Sequence, residues 1–451
     1  MPYEPKIIAF LCTWCSYTGA DTAGIARLKS PANIRDIRVP CSGRVSPEII
    51  MRTFDQGADG VLVLGCHIGE CHYDSGNHRA AKRIPILQQL MTYAGLEPER
   101  LRLDWVSASE GERYARITNE FVEAVRQLGP AKWKTGSIQD QPDWDTLLFT
   151  EAELHPLPPR DYYPQTQTVR QKARELLSEH RVDCVIGYEE GPRGRTRPAF
   201  VYKAEDTERL VWNQDCTHNL TTYLAQKLTP NNRARKENAE KKKVAVVVKP
   251  CDSRSINVLL AENHFERQQV YLIGMACDGI QDERHAGSLQ EKCLACAERI
   301  PVISDVLIGE AHGEAVGDPI CERIRLIDAS PPEQRMEFWL SQFDHCIRCY
   351  ACRQACPMCT CPTCLYERDD SLWVGMGIGM NEKRAFHLGR AFHLAGRCVG
   401  CNECERVCPM QIPISLLNRK LSDAVQTAFG HRAGMAQVPP PFVTILGGEE
   451  K

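Results

Sequence analysis

The chain has 451 residues, of which 43% are hydrophobic and 25% are charged, and its formal net charge is −3. These values exclude a bulk basic field that would attract nucleic acid or anionic lipid. No stretch approaches the roughly 18 consecutive apolar residues that a membrane span needs. The N-terminus shows no export signal. We therefore expect a cytoplasmic protein with no nucleic-acid partner and no membrane insertion.

Cysteine is the outlier of the composition, with 23 residues. Five of them lie within residues 12–71 and eleven within residues 346–408. Tightly spaced cysteines rarely form disulfide frameworks, because neighbouring thiols cannot pair comfortably with each other. Metal clusters do use such runs. The composition therefore indicates a metalloprotein from a reducing compartment.

Residues 1–130 predict an α/β domain in which strands and helices alternate. The predicted strands are KIIAFLC, IRDIRVPC, DGVLVLGC and RLRLDWVS. The predicted helices run from about Asp21 to Leu28, over SPEIIMRTFDQG with Ser46 as N-cap, over HRAAKRIPILQQLMTYAG and over ERYARITNEFVEAVRQLG. This alternation favours a doubly wound parallel sheet with helices on both faces.

Thiols follow three of these strands at their carboxyl ends, the edge where open α/β sheets bind ligands. The candidate ligands at this edge are Cys12, Cys15, Cys41, Cys66 and Cys71. A Rieske centre needs two histidine ligands, each near a cysteine of its own loop, but His67 and His72 share one short stretch. We predict an all-thiolate [2Fe–2S] cluster held by four of the five cysteines, with the histidines as nearby hydrogen-bond donors or surface residues. A zinc site is the alternative.

Residues 131–165 are rich in Pro and polar residues and predict a linker. Residues 166–339 predict a second α/β domain, and the basic run 231–243 within it is expected to be a solvated loop or helix end. Two thiols at strand ends and a CLAC motif could hold a third [4Fe–4S] cluster. The four candidate ligands are Cys251, Cys277, Cys293 and Cys296. The alternative is isolated thiols packed in a core, which we expect for Cys184, Cys216 and Cys321.

The strongest motif occurs twice, as HCIRCYACRQACP and RCVGCNECERVCP. Each is C-x2-C-x2-C-x3-C-P, the run of bacterial two-cluster ferredoxins, in which the fourth cysteine ligates the other cluster. One [4Fe–4S] cluster is assigned to Cys346, Cys349, Cys352 and Cys408. The other is assigned to Cys398, Cys401, Cys404 and Cys356. Paired zinc sites are the alternative, although zinc does not need this three-plus-one spacing.

Residues 340–423 are accordingly predicted as a two-cluster ferredoxin-like domain with short helices, followed by an extended tail over 424–451. The insertion PMCTCPTC lies between the two runs. It adds three thiols that ordinary ferredoxins lack, which are Cys359, Cys361 and Cys364. We expect these to be spare thiols or to support the clusters from outside, although they could complete a further metal site.

The N-terminal domain resembles the delta subunit of methyl-viologen-reducing hydrogenase. The resemblance rests on the segments LCTWCSYTGADTAG, RVPCSGRV, GCHIGECHYDSGNHRAAKR and DWVSASEGERY. It implies a [2Fe–2S] cluster and a docking partner, the flavoprotein subunit of heterodisulfide reductase.

The rest of the chain resembles the beta subunit of F420-reducing hydrogenase and F420-dependent formate dehydrogenase. The matching segments are VVVKPCDSRSINVL, YLIGMACDG, EKCLAC and HCIRCYACRQACP. This resemblance supports the third cluster and implies a possible FAD site, although a full flavin and F420 pocket is not evident in these residues.

Together these features predict an iron–sulfur electron-transfer subunit of a multi-subunit redox complex. It would relay electrons between a catalytic oxidoreductase and a heterodisulfide-reductase-A-like flavoprotein. The catalytic partner would be a hydrogenase, a formate dehydrogenase or another reductase. One alternative is a flavin-containing oxidoreductase subunit that reacts with a soluble carrier. Another is a zinc-binding or redox regulatory protein. No catalytic residue is predicted.

Overall fold

The computed structural model describes residues 3–133, 143–144, 148, 154–228, 242–370 and 374–442. Two β-sheets organise this part of the chain, one wholly parallel and one mixed. The predicted α/β class is therefore confirmed. None of the helices in these ranges combines the length and apolar character that crossing a membrane requires.

The first sheet contains four parallel strands in the order β2-β1-β3-β4. Its strands are β1 (Ile7–Cys12), β2 (Ile34–Val39), β3 (Gly60–Gly65) and β4 (Leu101–Trp105). Its helices are α1 (Ser16–Ile25), α2 (Pro47–Asp55), α3 (Gly76–Tyr93) and α4 (Gly111–Leu128). Every residue of β3 is buried, because helices cover both faces of a parallel sheet.

Alternate residues of these strands enter two different cores. Phe10 and Val63 pack with α2 and α3, whereas Leu11 and Leu64 pack with α1 and α4 on the opposite face. Successive side chains of a strand point to opposite faces of the sheet. The predicted arrangement of helices on both faces is therefore present in the structure.

Two local predictions for these helices were inaccurate. Helix α1 begins at Ser16 rather than near Asp21, because the buried Ser16 hydroxyl donates to the Leu64 carbonyl (2.8 Å) and fixes the turn directly after β1. Ser46 stands at the N-cap position of α2, but its side chain makes no capping hydrogen bond.

The second sheet is mixed, with the order β10-β9-β8-β5-β6, and a further short strand, β7, pairs with β5. Strands β6 and β7 run antiparallel to β5, and the other pairs are parallel. The strands are β5 (Cys184–Glu190), β6 (Thr196–Val201), β7 (Leu210–Val211), β8 (Val244–Val248), β9 (Val270–Met275) and β10 (Val306–Ile308). The helices are α5 (Tyr163–Ser178), α6 (Thr221–Leu228), α7 (Pro250–Ala261) and α8 (Glu291–Leu294).

Parts of two sequence predictions fall outside the described residues. The basic run 231–243 does so except for its last two residues, and the predicted linker 131–165 is described only in part. At the described end of that linker, Pro156 forms an isolated antiparallel bridge with Ser288. This end of the segment therefore packs against the second α/β region.

Six helices complete the C-terminal part. They are α9 (Pro319–Ala329), α10 (Pro332–Asp344), α11 (Ala351–Ala355), α12 (Met380–Leu394), α13 (Glu403–Arg406) and α14 (Ile414–Phe429). Short helices were predicted here, but α12 has 15 residues and α14 has 16. Residues 424–429 were predicted as extended tail. They belong instead to α14, because Leu421, Ala424 and Val425 continue its buried face.

The N-terminal sheet and the C-terminal helices share one hydrophobic core. Phe54 of α2 and Leu87 of α3 belong to the same buried cluster as Leu388 of α12 and Leu417 of α14. At Gly389, where α12 approaches the Tyr366 hydroxyl, an added Cβ would overlap that oxygen. Close packing therefore holds the two ends of the chain together.

A buried ion pair crosses this shared core. Arg384 of α12 contacts the Asp55 carboxylate at the end of α2. The Trp133 indole donates to the same carboxylate (2.9 Å), and the Arg384 guanidinium stacks over the Trp133 ring at 4.4 Å. Both charged side chains are buried, so each depends on the other for compensation.

Replacing Asp55 should therefore loosen the contact between the two ends of the chain. In Asp55→Asn, the Arg384 charge stays buried without a counter-charge, which costs about 3–5 kcal/mol of unfolding free energy. The midpoint of urea unfolding measures this loss.

The matched control is Lys132→Gln. It removes the exposed Lys132–Glu333 pair (3.1 Å) that joins the same two parts of the chain, and it should cost less than about 1 kcal/mol. Equal shifts of the two unfolding midpoints would show that the buried pair has no special weight.

Candidate metal centres

The N-terminal thiols meet at the carboxyl edge of the parallel sheet. Cys12 is the last residue of β1, Cys66 directly follows β3, and Cys41 lies two residues beyond β2. Because β1 lies between β2 and β3, the three strand ends are neighbours. The predicted convergence of thiols at this edge is thus observed.

Two pairs of sulfur atoms are in contact at this edge. The Cys12 and Cys66 sulfurs are 3.6 Å apart, and the Cys41 and Cys71 sulfurs are 3.8 Å apart. Two thiolates on one tetrahedral ion, with bonds of about 2.3 Å, lie about 3.8 Å from each other. Among the described residues, no three His, Cys, Asp or Glu side chains gather as a site for a single metal ion. The arrangement is one of pairs.

The paired thiols are strongly coupled electrostatically. Hydrogen bonds from the thiols of Cys41 and Cys66 lower the pKa of Cys12 to about 2. The same hydrogen bonds, together with burial, raise the pKa of Cys41 and of Cys66. The three thiols therefore carry a single negative charge among them. Further thiolates at this site require a bound cation, because metal coordination favours the deprotonated form.

Two residues that the sequence reasoning did not single out shape this site. A Cβ on Gly76 would overlap the Cys41 sulfur and would lie 3.2 Å from the Cys71 sulfur. The buried Asn77 side chain donates to the His67 carbonyl (2.6 Å) and fixes the loop that carries Cys66. The signal for both was their position at the start of the helix that follows the Cys-His stretch.

The histidines of this stretch have partners other than the thiols. The His67 ring contacts the Glu110 carboxylate at 2.6 Å. The exposed His72 ring stacks on Trp14 with 3.6 Å between centroids. These contacts favour the prediction that thiols alone are the ligands.

The two ferredoxin-like runs have the same backbone shape. The third and fifth positions of each run, counted from its first cysteine, have positive φ. They are Arg348 (55°) and Tyr350 (59°) in one run, and Gly400 (73°) and Asn402 (53°) in the other. Non-glycine residues seldom adopt this conformation and persist in it where the surroundings impose it, as at functional sites.

This loop shape directs backbone amides at sulfur atoms. The Arg348 amide donates to the Cys346 sulfur at 3.4 Å. Burial raises the pKa of Cys398, and a hydrogen bond from the Gly400 amide opposes that rise. Such N–H···S bonds stabilise negative charge on sulfur, which is what a cluster-bound thiolate carries.

The fourth cysteine of each run packs with the thiols of the other run, as the predicted exchange requires. Cys408 packs in one buried cluster with Cys346 and Cys352, and Cys356 packs in another with Cys398 and Cys401. Burial raises the pKa of Cys346, and the Cys408 and Cys349 thiols raise it further. The Cys404 sulfur accepts a hydrogen bond from Asn418 at 3.5 Å.

The three extra cysteines of the insertion occupy different environments. Cys359 lies beside Cys356, and a hydrogen bond from the Cys356 thiol lowers the pKa of Cys359 to about 5. Cys364 packs against the cluster that contains Cys346, and Cys361 is exposed. Cys359 is thus the one of the three that adjoins a predicted ligand, which the spacing alone did not distinguish.

The middle thiols line a single cavity of about 140 Å³. The four predicted ligands that line it are Cys251, Cys277, Cys293 and Cys296. Cys251 is in the first turn of α7, and Cys277 follows β9. Burial raises the pKa of Cys277 to about 12, so a bound metal would relieve the protonation that burial imposes. Cys184 and Cys216 are instead buried in the core of the second sheet.

Neighbouring groups of thiols adjoin one another. Cys398 lines the cavity of the middle thiols, and Cys251 packs against the core that contains Cys398 and Cys401. On the other side, burial raises the pKa of Cys352 to about 11, with the Cys346 and Cys408 thiols adding to the rise. Cys352 shares its buried cluster with Cys404. The second ferredoxin-like group therefore lies between the other two.

Comparison with known proteins identifies the N-terminal part. Residues 7–129 match the family described as methyl-viologen-reducing hydrogenase, delta subunit. The iron-sulfur subunit of the F420-non-reducing hydrogenase of Archaeoglobus profundus is 48% identical over 132 residues, which are 29% of this chain and 96% of the relative. The vhc iron-sulfur subunit of the corresponding hydrogenase of Methanococcus voltae is 46% identical over 140 residues, which are 31% of this chain and 97% of the relative.

A different kind of relative carries the same segment. It belongs to the ferredoxin/F420H2-dependent CoB-CoM heterodisulfide reductase of Methanosarcina acetivorans, one of whose chains is 52% identical over 126 residues. The match covers 28% of this chain but only 16% of that much longer protein. The chain therefore belongs, through residues 7–129, to the delta-subunit family.

The two sulfur pairs predict which N-terminal cysteine is dispensable. Cys15 is in neither contact, so Cys15→Ser protein should keep the iron and the EPR signal of this centre. Cys12→Ser and Cys41→Ser should each lose them, because each breaks one pair. Cys321→Ser, in α9, is the control for the loss of a half-buried thiol. Retention of the signal in Cys41→Ser but not in Cys15→Ser would contradict this assignment.

Proposed function

We propose that this member of the delta-subunit family is an iron–sulfur electron-transfer subunit of a cytoplasmic redox complex. It relays electrons between a catalytic oxidoreductase and a heterodisulfide-reductase-A-like flavoprotein. One observation carries the proposal: four groups of buried or half-buried thiols lie in one chain, and the three groups outside the N-terminal domain adjoin one another.

The thiol groups fit iron–sulfur clusters of two kinds. The N-terminal pairs suit a [2Fe–2S] cluster, with two thiolates for each iron, and the remaining three groups suit [4Fe–4S] clusters of four thiolates each. Such clusters, when bound, accept and release single electrons. The fit rests on the contact distances at the first site, the matched loops at the next two and the thiol-lined cavity at the last.

The chain itself supplies burial and hydrogen bonds at each group. Backbone amides at Arg348 and Gly400 and the Asn418 amide direct N–H groups at sulfur. Burial keeps water from the sulfur atoms. Hydrogen bonds to sulfur and solvent exposure are the means by which a protein sets cluster potentials. The residues around each group therefore determine where an electron resides.

The N-terminal site has a rim suited to a protein partner. Three large side chains stand exposed around it: Trp14 (46%), Ile68 (48%) and Tyr73 (51%). Exposed aromatic and aliphatic side chains that cluster beside a functional site mark interaction surfaces. The heterodisulfide reductase relative carries the same domain within its own longer chain, which supports a flavoprotein of that kind as the partner here. A hydrogenase, formate dehydrogenase or other reductase subunit would contact the opposite end of the path.

The metal content of the anaerobically purified chain tests the number of clusters. Three [4Fe–4S] clusters and one [2Fe–2S] cluster give about fourteen irons, with as much acid-labile sulfide. A [2Fe–2S] signal should appear in the EPR spectrum of the reduced protein. About eight irons without that signal would leave only the ferredoxin-like part. Zinc without sulfide would overturn the proposal, and stoichiometric flavin would favour an oxidoreductase that reacts with a soluble carrier.

The exposed rim predicts the docking surface. Ile68→Ser combined with Tyr73→Ala should weaken binding of the purified flavoprotein partner more than tenfold, because interface anchors are worth about 2 kcal/mol or more. Iron content should stay unchanged. Ile25→Ser, at the far end of α1 and 85% exposed, is the matched control and should leave binding intact. Equal binding by both variants would place the docking surface elsewhere.

A further inference from the structure

One buried cation lies between the two ferredoxin-like groups. Arg390 of α12 is 4% exposed, and its guanidinium donates to the Cys352 carbonyl at 3.1 Å. Its Nε has no hydrogen-bond partner. Burial disfavours its charge, but thiols of both groups raise its pKa well above the usual value, namely those of Cys359, Cys356, Cys404 and Cys352. The guanidinium is thus charged and faces both groups at once.

A second cation lies at the other junction, between the middle thiols and the second ferredoxin-like group. Lys292 belongs to α8, the helix that carries Cys293, and it lines the cavity of the middle thiols. Its ammonium donates to the Cys401 carbonyl at 2.6 Å. This side chain therefore connects one group of thiols to the backbone of the next.

Neighbouring cations differ because carboxylates compensate them. Arg397 makes two contacts with Glu262, at 2.5 and 2.6 Å. Arg406 likewise holds the buried Glu403, at 2.8 and 3.1 Å. The hydrogen bonds of Arg390 and Lys292, in contrast, go to backbone carbonyls of the cysteine runs. Their positive charges therefore act on the thiol groups with little cancellation.

We propose that Arg390 and Lys292 set the reduction potentials of the three C-terminal clusters and make the central one the highest. The inference rests on the proposed function, because it needs those clusters. In each transfer one cluster loses one electron and its neighbour gains it, and no bond or proton need change. The gained electron adds negative charge, which a nearby cation stabilises, and more strongly at low dielectric. The central cluster, held by Cys398, Cys401, Cys404 and Cys356, lies beside both cations.

Redox titrations of the full chain, monitored by EPR, test this pattern. Arg390→Gln should move the potentials of the first and second ferredoxin-like clusters to more negative values and leave the middle-domain cluster unchanged. Lys292→Gln should move the second ferredoxin-like cluster and the middle-domain cluster and leave the first unchanged. The central cluster is thus the one that both substitutions shift.

Conservative variants and a matched control separate charge from structure. Arg390→Lys and Lys292→Arg keep the charge and should give shifts smaller than those of the Gln variants. If a Gln variant fails to load clusters, its conservative partner still provides the reading. Lys383→Gln removes another buried cation of α12, one that donates to the Asp344 carbonyl at 2.6 Å, and should move none of the three potentials.

The outcomes distinguish this inference from the proposed function. Unchanged potentials in loaded Arg390 and Lys292 variants would overturn the role of the cations while the clusters remain. An equal shift of all clusters in every variant would overturn it as well, because that result reports general loosening. Absence of [4Fe–4S] signals from the wild-type chain would overturn the proposed function itself.

Discussion

A chain of redox centres works only if the distances between them are fixed, and here a shared hydrophobic core fixes them. Helices α12 and α14 pack on α2 and α3 of the N-terminal sheet, and the buried Asp55–Arg384 pair crosses that contact. The second sheet is joined to the same C-terminal part by Arg397 and Glu262. Interiors this closely packed transmit strain and resist deformation. The thiol groups are therefore parts of one rigid arrangement.

Electrostatics within that arrangement follows from burial. A buried thiol stays protonated unless something stabilises its charge, as the raised pKa values of Cys277 and Cys401 show. Backbone N–H groups, the cations Arg390 and Lys292 and bound metal all act in the same direction, because each favours thiolate. The left-handed residues of the two matched loops have a backbone cost, and the direction of their amides toward sulfur gives a physical reason for that cost.

Much of this site could be predicted from local pattern, and the remainder depends on tertiary contact. Cys12, Cys41 and Cys66 follow hydrophobic strands, so their meeting at one edge follows from parallel-sheet geometry. The repeated C-x2-C-x2-C-x3-C-P spacing likewise predicted that Cys408 and Cys356 would exchange partners. Sequence could not reveal Arg390 or Lys292 as neighbours of thiols, because helix positions far along the chain bring them there. The start of α1 at Ser16 was missed for a similar reason, since a contact with β3 fixes it.

The central claim is that the clusters form a continuous path within one polypeptide, and the EPR spectrum of the fully reduced chain tests it most directly. Adjacent reduced clusters should interact magnetically and give a split, broadened spectrum. Removal of the central cluster by Cys398→Ser should collapse that splitting while the signals of the outer clusters persist. A wild-type spectrum equal to the simple sum of isolated cluster signals would contradict a continuous path.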